Sequence, residues 1–402
     1  MKRLAFLAVA ALVAAACQND RLAGPSGATA LTTGDPLAAS RMPLPLPEAA
    51  GLRVMNYNLY LGTNFTPLFE AQSQEEFLLA AARAYAELQQ TNFPARAVKI
   101  ADQIAKVRPD LLGLEEVALW SVSAPYDPTP PGQPTAPFVV QYDFLQLVLR
   151  ALKARGLNYV AAAVDSTSDV AAPVPTQFDK SGNPTAFALV RFQDRDAVLV
   201  RAGVRFSSPA HGTYQTYLPL DLQGVQTGIY NGWSSVRAKV DGRTFRFVAT
   251  HLNAEYAPVN GGQAQELMGV LQHETDPVVL VGDFNTGPGV TPDFAPTYGL
   301  MISAGFTDLW PLRRPADAGF TNGPNDGVGY LDASGVLIPW PTLDLETRVD
   351  LVLVKDALGA PRPVHAALFG IQQSDRTASG LWPSDHAAVG MVFELREHHA
   401  WR

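Results

Sequence analysis

Asp283 and Asn285 are the first candidates for chemistry, because they follow closely on the apolar residues 278–281. That run is short and β-branched, which predicts a strand buried on both faces. If the extended backbone continues through Gly282, residues 283 and 285 point to the same side while Phe284 points into the core. Open α/β folds bind their ligands at the carboxyl ends of strands, so the stretch predicts a carboxylate and an amide side by side at such an end. A Gly-Asp turn without any function gives the same pattern.

Three more oxygen donors stand at the ends of other predicted strands: Asn58, Glu116 and Asp385. A ligand set of oxygens, with few imidazoles and no thiolates, is typical of Mg²⁺ or Mn²⁺, and Ca²⁺ also fits it. The set therefore predicts a divalent-metal site. Taken singly, Asn58 is equally explained as a turn cap and Glu116 as a solvated carboxylate, and we expect its neighbour Glu115 to be solvated.

Two histidines and a further aspartate complete the candidate site. His251 and His386 titrate near neutral pH, which suits proton transfer or the stabilisation of a phosphorane-like transition state. Asp350 is predicted in the middle of a strand, where a carboxylate is costly unless it is paired, and an imidazole is a fitting partner. The alternatives are a structural histidine at a strand end for His251 and a solvent-facing edge residue for Asp350.

Alternation and apolar stripes define the elements that must position these side chains. Helices are predicted at 75–88, 94–107, 143–153 and 263–273, and strands at 52–59, 110–114, 159–164, 186–192, 197–204, 234–240, 244–250, 278–281, 348–354 and 387–393. Residues 121–137 and 287–347 are predicted as loops. The aromatic stretch 214–233 is a membrane-touching hairpin, a packed hairpin or a wall of the substrate groove. No repeat or compositional break follows residue 51, so one domain is expected over 51–396, before a tail at 397–402.

The N-terminus predicts export. Lys2 and Arg3 precede an apolar run, residues 4–16, which is too short to span a bilayer and is typical of a signal peptide over 1–16. Cys17 follows directly, as in bacterial lipoprotein signals, where this cysteine is lipidated; a plain secretory signal is the alternative. Residues 17–50 lack periodicity and are predicted as a flexible tether. We therefore expect a membrane-anchored lipoprotein of the periplasm or cell surface, or otherwise a secreted protein.

Composition excludes several classes of protein. Hydrophobic residues make up 47% of the 402 and charged residues 17%, while Gly and Pro number 32 each, which indicates a loop-rich globular protein. A single cysteine excludes disulfides within the chain and cysteine-ligated zinc. With a formal net charge of −8, the overall field does not steer the chain to nucleic acid or anionic lipid. The arginines at 191, 195, 201 and 205 leave two options: a local basic face, or a solvated sheet face balanced by Asp194 and Asp196.

Six short motifs occur in one order along the chain: N-Y-N-L (56–59), D-L-L-G-L-E-E-V (110–117), T-H-L (250–252), G-D-F-N (282–285), R-V-D-L-V-L-V (348–354) and S-D-H (384–386). Together they resemble the endonuclease/exonuclease/phosphatase superfamily, which has the deoxyribonuclease I-like fold. The resemblance runs from about residue 52 to 396. It implies an α/β (α+β) protein built as a four-layered α/β/β/α sandwich, and divalent-metal-dependent hydrolysis of phosphoesters.

The resemblance also implies a role for each candidate. Glu116 would bind the metal with help from Asn58, and Asp385 would lie near the metal. Asp283 and Asn285 would activate or orient the attacking water and contact the phosphate. His386 would be the catalytic imidazole, oriented by Asp350, and His251 would contact the phosphate. Three features depart from the family pattern. Glu115 stands where Gln is commoner, residues 184–187 replace the usual Gly-Asn, and no tyrosine matches the one that abasic-site endonucleases use.

The expected protein is thus a secreted, lipid-anchored hydrolase of phosphoester bonds, of phosphodiesterase, nuclease or phosphatase type, with Mg²⁺ (or Mn²⁺, with Ca²⁺ possible) as cofactor. Its substrate would be nucleic acid, a phospholipid head group or a small phosphate ester, and it would act as a monomer that meets the membrane only through its N-terminal lipid. One alternative is a sphingomyelinase-like phospholipid phosphodiesterase. Another, of a different class, is a non-catalytic surface binding module on the same fold.

Overall fold

The computed structural model of the chain describes residues 51–128, 134–222 and 224–396. The signal peptide, Cys17, the tether and the tail at 397–402 lie outside the described residues. Among the residues that are described, no helix combines the length and the apolar character needed to cross a bilayer.

Two six-stranded sheets form the centre of the domain. The first has the order β19-β20-β1-β2-β8-β5 and comprises β1 (Leu52–Asn58), β2 (Leu111–Glu115), β5 (Tyr159–Val164), β8 (Ala197–Arg201), β19 (Arg362–Phe369) and β20 (Ala388–Glu394). The second has the order β15-β18-β14-β13-β12-β9 and comprises β9 (Arg205–Thr213), β12 (Gly232–Val240), β13 (Arg243–His251), β14 (Val278–Asp283), β15 (Thr307–Asp308) and β18 (Asp350–Lys355). Each sheet has one parallel pair at its centre, β1 with β2 and β13 with β14, so functional residues at the ends of these strands fall on one edge.

The two sheets pack face to face over an apolar layer, and helices cover their outer faces. Residues such as Val54, Phe247 and Val281 are fully buried between the sheets. The helices are α1 (Thr66–Phe69), α2 (Gln74–Gln90), α3 (Phe93–Val107), α4 (Phe144–Lys153), α5 (Ala257–Leu271), α6 (Ala295–Ser303) and α7 (Leu309–Arg313). Helices α2 to α4 bury their apolar faces against the first sheet, and α5 and α6 pack on the second. The predicted four-layered α/β/β/α sandwich is confirmed.

Smaller sheets stand beside the sandwich and correct part of the predicted element map. A four-stranded sheet, β4-β3-β7-β6, is formed by β3 (Leu119–Tyr126), β4 (Val139–Asp143), β6 (Asp169–Phe178) and β7 (Pro184–Gln193). The prediction of a loop over 121–137 was therefore wrong where β3 lies, and β6, β9 and β19 were missed. Their prolines and glycines disfavour a strand locally, and pairing with neighbours far along the chain overrides that preference.

The predicted loop 287–347 also carries structure: α6, α7, β15 and a ribbon of β16 (Gly329–Leu331) with β17 (Leu337–Pro339). Helix α5 begins six residues before its predicted start, with Pro258 in its first turn. Asp350 is the first residue of β18 rather than a mid-strand residue, and His251 is the last residue of β13.

The aromatic stretch 214–233 contains the hairpin β10 (Leu218–Leu222) and β11 (Val225–Ile229). Tyr214 is buried and its hydroxyl lies 2.7 Å from that of Thr250, while the rings of Tyr217 and Tyr230 stack with centroids 4.5 Å apart. Tyr214 thus packs on the second sheet and two aromatic rings of the stretch stack on each other, while Tyr217 and Val225 of the hairpin are 39% and 63% exposed. The alternatives for this stretch stay predictions.

Candidate active site

Asp283 is the residue on which the candidate site converges. It ends β14 and is 1% exposed. Its Oδ2 accepts a hydrogen bond from Asn58 Nδ2 at 3.0 Å and lies 3.7 Å from Nε2 of both His251 and His386. Its Oδ1 accepts the backbone N–H of Asn285 at 3.0 Å. One carboxylate thus meets side chains from three motifs that are remote in sequence, and the backbone of its own motif.

His251 and Asn285 form one wall of the site. Asn285 adopts a left-handed backbone conformation (φ 48°), which aims its amide so that Nδ2 donates to Leu252 O at 2.9 Å and lies 3.3 Å from His251 Nε2. Such strain in a residue other than glycine is common at functional sites. Burial disfavours a charged His251, but the carboxylates, of which Asp283 and Glu116 are the strongest, outweigh burial and raise its pKa above the ordinary value.

His386 is paired with Asp350 on the opposite wall. Its Nδ1 lies 2.8 Å from Asp350 Oδ2, so the expected hydrogen bond is present, and Asp350 Oδ1 accepts from Asn56 Nδ2 at 3.2 Å. Asp350 stands directly opposite Asp283 on the neighbouring strand, which is why the pair reaches the centre of the site. Burial opposes a charge on His386, but Asp350 and Asp283 raise its pKa well above the ordinary value. The solvent-facing alternative for Asp350 is wrong, since the residue is 1% exposed.

Asn322 is a site residue that sequence reasoning missed. Its Nδ2 lies 2.8 Å from His386 Nε2, and its backbone pairs with Thr347, which fixes it over the imidazole. In a neutral ring with Nδ1–H directed at Asp350, Nε2 accepts from this amide, whereas the protonated ring, which the raised pKa favours, needs the amide turned so that its oxygen accepts from Nε2–H. Asn322 belongs to the long loop, and no periodicity or motif in the sequence marks it.

Glu116 and Asp385 form the oxygen pair proposed for the metal. Glu116 has a left-handed backbone (φ 55°); its Oε1 accepts from Asn58 Nδ2 at 2.9 Å and its Oε2 from the N–H of Leu61 at 2.6 Å. Burial, and next the negative charge of Asp385, raise the pKa of Glu116 to about 7. Within the described part of the chain, the ion pairs at this site involve only histidine. The charge of the buried Arg96 reaches Asp385 and Glu116, but among the described residues it forms no ion pair with either, so the two carboxylates, on an all-oxygen donor set, fit a divalent cation such as Mg²⁺.

A second set of possible ligand atoms is the trio Asp283, Asp350 and His386, whose atoms lie within 4.8 Å of one another. Two of its members already hydrogen-bond to each other, and an imidazole whose pKa is raised holds its proton against a metal. The trio is therefore better suited to proton transfer, and the metal remains assigned to Glu116 and Asp385. Asn58 donates its amide N–H groups to the carboxylates of Glu116 and Asp283. It therefore positions these two carboxylates, in addition to being a candidate metal ligand.

The prediction that Glu115 is solvated was wrong. Glu115 ends β2 and is fully buried, and among the described residues neither of its carboxylate oxygens makes a hydrogen bond of good geometry, although the Asn56 side chain lies near enough to oppose part of the rise in its pKa. Burial, and next the charges of Asp350 and Asp283, raise its pKa well above the ordinary value. The acid form is uncharged, as the more usual Gln would be at this position.

Arg96 holds the loops of the site together, and no motif pointed to it. Its guanidinium is fully buried and donates to the carbonyls of Leu59, Tyr60, Thr91 and Pro383 at 2.7–3.0 Å. It thereby ties the turn that follows Asn58 to the segment that precedes Ser384.

The basic face proposed on alternate arginines is not present as a free surface. Three of the four arginines are in ion pairs: Arg191 with Asp169, Arg195 with Asp143 and Arg201 with Asp110. Of the two balancing carboxylates, Asp194 is partly buried and interacts with Arg195, whose backbone N–H it accepts at 3.0 Å. Asp196 is buried beside Glu116 and does not face solvent as expected.

The sequence model of the endonuclease/exonuclease/phosphatase family matches residues 55–386, a range that contains every candidate catalytic and metal residue named above. No curated protein matches the chain by sequence. Similar solved structures include TDP2 from D. rerio in complex with a single-strand DNA product, at 16% identity and a TM-score of 0.48 over 86% of this chain and 100% of that one. A second is a family protein from Leptotrichia buccalis, at 13% identity and a TM-score of 0.47 over 86% of this chain and 100% of that one. A third is the human nocturnin catalytic domain with a bound sulfate, at 17% identity and a TM-score of 0.41 over 86% of this chain and 95% of that one.

Proposed function

The chain belongs to the endonuclease/exonuclease/phosphatase family, and we propose that it is an exported, divalent-metal-dependent phosphodiesterase. The observation that carries the proposal is the convergence of Asn58, His251, Asn285 and His386 on the Asp283 carboxylate. A site that combines a buried carboxylate with two imidazoles of raised pKa can both accept a proton and stabilise negative charge. A non-catalytic binding module has no need to keep this combination.

The chain's own residues divide the work of hydrolysis. Asp283 accepts the proton of the attacking water, and Asn285 holds that water and a phosphate oxygen in place. The oxygen of the water forms a bond to phosphorus, and the bond from phosphorus to the leaving oxygen breaks; the leaving oxygen departs with that electron pair and takes up a proton to give the alcohol. His386, oriented by Asp350, and His251 face the phosphate oxygens, where protonated imidazoles neutralise the charge that develops.

Glu116 and Asp385 would hold the cation, with Asn58 fixing the Glu116 carboxylate. When bound, a divalent cation supplies Lewis-acid stabilisation of the phosphate and of the leaving oxygen.

A chromogenic assay tests this function. The mature chain, residues 17–402, is incubated with bis-p-nitrophenyl phosphate and Mg²⁺ or Mn²⁺, before and after stripping with EDTA. We expect hydrolysis that EDTA abolishes and added metal restores, and a loss of at least about 100-fold in kcat for Asp283→Asn. Full activity of the stripped protein, or of Asp283→Asn, would refute the site.

We also propose that the protein is a lipoprotein, acylated at Cys17 and carried on the tether 17–50. The support is the basic start, the short apolar run and the position of the only cysteine. One acyl chain alone binds membranes weakly, and stable anchoring needs the additional chains that a lipoprotein N-terminus carries.

A further inference from the structure

The chain segments that carry His251 and Asn285 run side by side beyond the point where their strands end. The pairing of β13 with β14 stops at His251 and Asp283. Past this pair, the N–H of Leu252 donates to the Asp283 carbonyl at 3.0 Å, and Asn285 Nδ2 donates to the Leu252 carbonyl at 2.9 Å. Individual hydrogen bonds thus take over from the strand pairing and set the spacing between the two proposed phosphate contacts.

One side chain of helix α5, that of Asn260, supplies donors to both segments. Its Nδ2 donates to the carbonyl of Asn253 at 2.8 Å and to that of Phe284 at 2.9 Å, and all three residues are fully buried. An amide nitrogen carries two hydrogens, so each carbonyl receives one of them. Asn253 follows His251 by two positions and Phe284 directly precedes Asn285. A single amide therefore joins the two segments within two residues of the proposed phosphate contacts.

Helix formation does not explain the presence of Asn260. It lies inside α5, which begins at Ala257, and asparagine is less favourable in a helix than alanine or leucine. Its nitrogen donates to remote segments rather than capping its own helix. Its Oδ1 is buried and has no hydrogen-bond partner among the described residues, which is a further cost. The two hydrogen bonds of its nitrogen are what offset these costs.

Gln263, one turn further along α5, strengthens the same anchorage. Its Oε1 accepts the N–H of Asn253 at 2.8 Å, and its Nε2 donates to Thr216 O and to Asn231 Oδ1, both at 3.1 Å. The helix thus holds Asn253 at both its N–H and its carbonyl. Of the two amides, Asn260 is the one that also reaches the segment leading to Asn285.

We propose that Asn260 is a positioning residue of the active site, which holds His251 and Asn285 at the separation at which both meet one phosphate group. The inference rests on the proposed function, in which these two side chains contact the phosphate. Without the amide, two buried carbonyls lose their donor and both segments are released. A misplacement of about 1 Å can cost about 100-fold in rate. Metal binding should change little, because Glu116 and Asp385 adjoin other strands, β2 and β20.

Asn260→Asp is the sharpest test, because the two side chains have the same shape, and aspartate presents an acceptor to both carbonyls in place of two donors. We expect kcat on bis-p-nitrophenyl phosphate to fall about 10–100-fold, with KM and the Mg²⁺ concentration for half-maximal rate changed by less than about threefold. Asn260→Ala leaves space for a water that can donate to the carbonyls, so its loss should be smaller but at least about threefold. If thermal melts show that Asn260→Asp does not fold, Asn260→Ala decides.

Gln103→Met is the matched control, because Gln103 is a buried helical amide whose acceptors, Lys99 O and Asp375 Oδ1, belong to neither segment. It should lower Tm and leave kcat within about twofold of the unchanged protein. Three results would overturn the positioning role: a kcat of the Asn260 variants within about twofold of the unchanged protein, a loss that Gln103→Met shares, or a loss that a changed KM or metal titration explains entirely. Absence of hydrolysis by the unchanged protein would instead refute the proposed function, and the positioning role with it.

Discussion

Replacement of Asp350 by Asn tests whether His386 and Asp350 act as one unit. In the native pair, Asp350 accepts from His386 Nδ1 through one oxygen and from Asn56 Nδ2 through the other. The side chain of an asparagine offers only one oxygen. Either His386 therefore loses its hydrogen-bond acceptor and changes tautomer, or Asn56 loses its hydrogen-bond acceptor. In either case His386 also loses the adjacent negative charge.

The expected loss in kcat is about 10²–10⁴-fold, the usual range for removal of an acid–base group, which corresponds to about 2.7–5.4 kcal/mol at 1.36 kcal/mol per decade. His386→Ala should cost a similar factor, with little change in KM. The double variant should lose little more than either single variant, because each change disables the same unit.

The pH profile carries a second signature. Asp350 and Asp283 raise the pKa of His386 above that of an unfolded chain, so the imidazolium and the stability it brings are fully present below about pH 6.5 and are lost as the pH rises through the folded pKa. Asp350→Asn should lower that pKa and move the alkaline limb of kcat to lower pH. Initial rates on bis-p-nitrophenyl phosphate between about pH 5.5 and 9, with thermal melts of each variant, measure both effects.

Asp375→Asn is a suitable control, since Asp375 is 4% exposed and ion-paired with Lys106 at 2.8 Å but contacts none of the site residues. It should lower stability and leave the pH profile in place. Two results would refute the reasoning: an alkaline limb that does not move in Asp350→Asn, or losses in the two single variants that multiply in the double variant.

Four further outcomes are expected. Glu116→Ala should raise the Mg²⁺ concentration for half-maximal rate at least about tenfold, and an unchanged metal titration would contradict the ligand assignment. Cys17→Ser should release the protein from the detergent phase, whereas a mature N-terminus other than Cys17 by mass spectrometry would exclude acylation. Arg96→Met should lower the free energy of unfolding in urea by about 3–5 kcal/mol, because four buried carbonyls lose their donor; a loss below about 1 kcal/mol would contradict this. Burial raises the pKa of Asp165 to about 7, so its carboxylate destabilises the fold as pH rises from about 4 towards 7. Asp165→Asn should gain about 1–3 kcal/mol at pH 8 and about a third as much at pH 5, and an equal gain at both values would contradict this.

Local sequence was enough to identify the elements that carry the site. The apolar runs before Asp283 and Glu115 are strands because β-branched and leucine side chains bury well on a sheet, and both runs are fully buried in the structure. The ends of these strands carry the motif residues, and the order of the motifs was enough to indicate the family that the sequence match then showed. Export and the anchor rest on the N-terminal pattern alone.

Other features depended on which strands became neighbours. Asn56 and Asp350 are 294 positions apart and meet because β18 lies across from β1 between the packed sheets. Asn322 reaches His386, and Arg96 reaches Pro383, through chain separations of 64 and 287 residues. No local pattern encodes such contacts, because they depend on sheet order and on loop paths.

Glu115 shows the physical limit most directly. Successive side chains along a strand point to opposite faces of the sheet. In a sheet with one solvent-exposed face, this alternation would also separate buried from solvated residues. In a four-layered sandwich one face of each sheet meets helices and the other meets the second sheet, so both are dry. The sequence by itself therefore determined that Glu115 and Glu116 lie at a strand end and differ in direction. Only the packing of the second sheet decided that Glu115 is enclosed near Asp283 and Asp350, while Glu116 is partly buried and contacts Asn58 and Leu61.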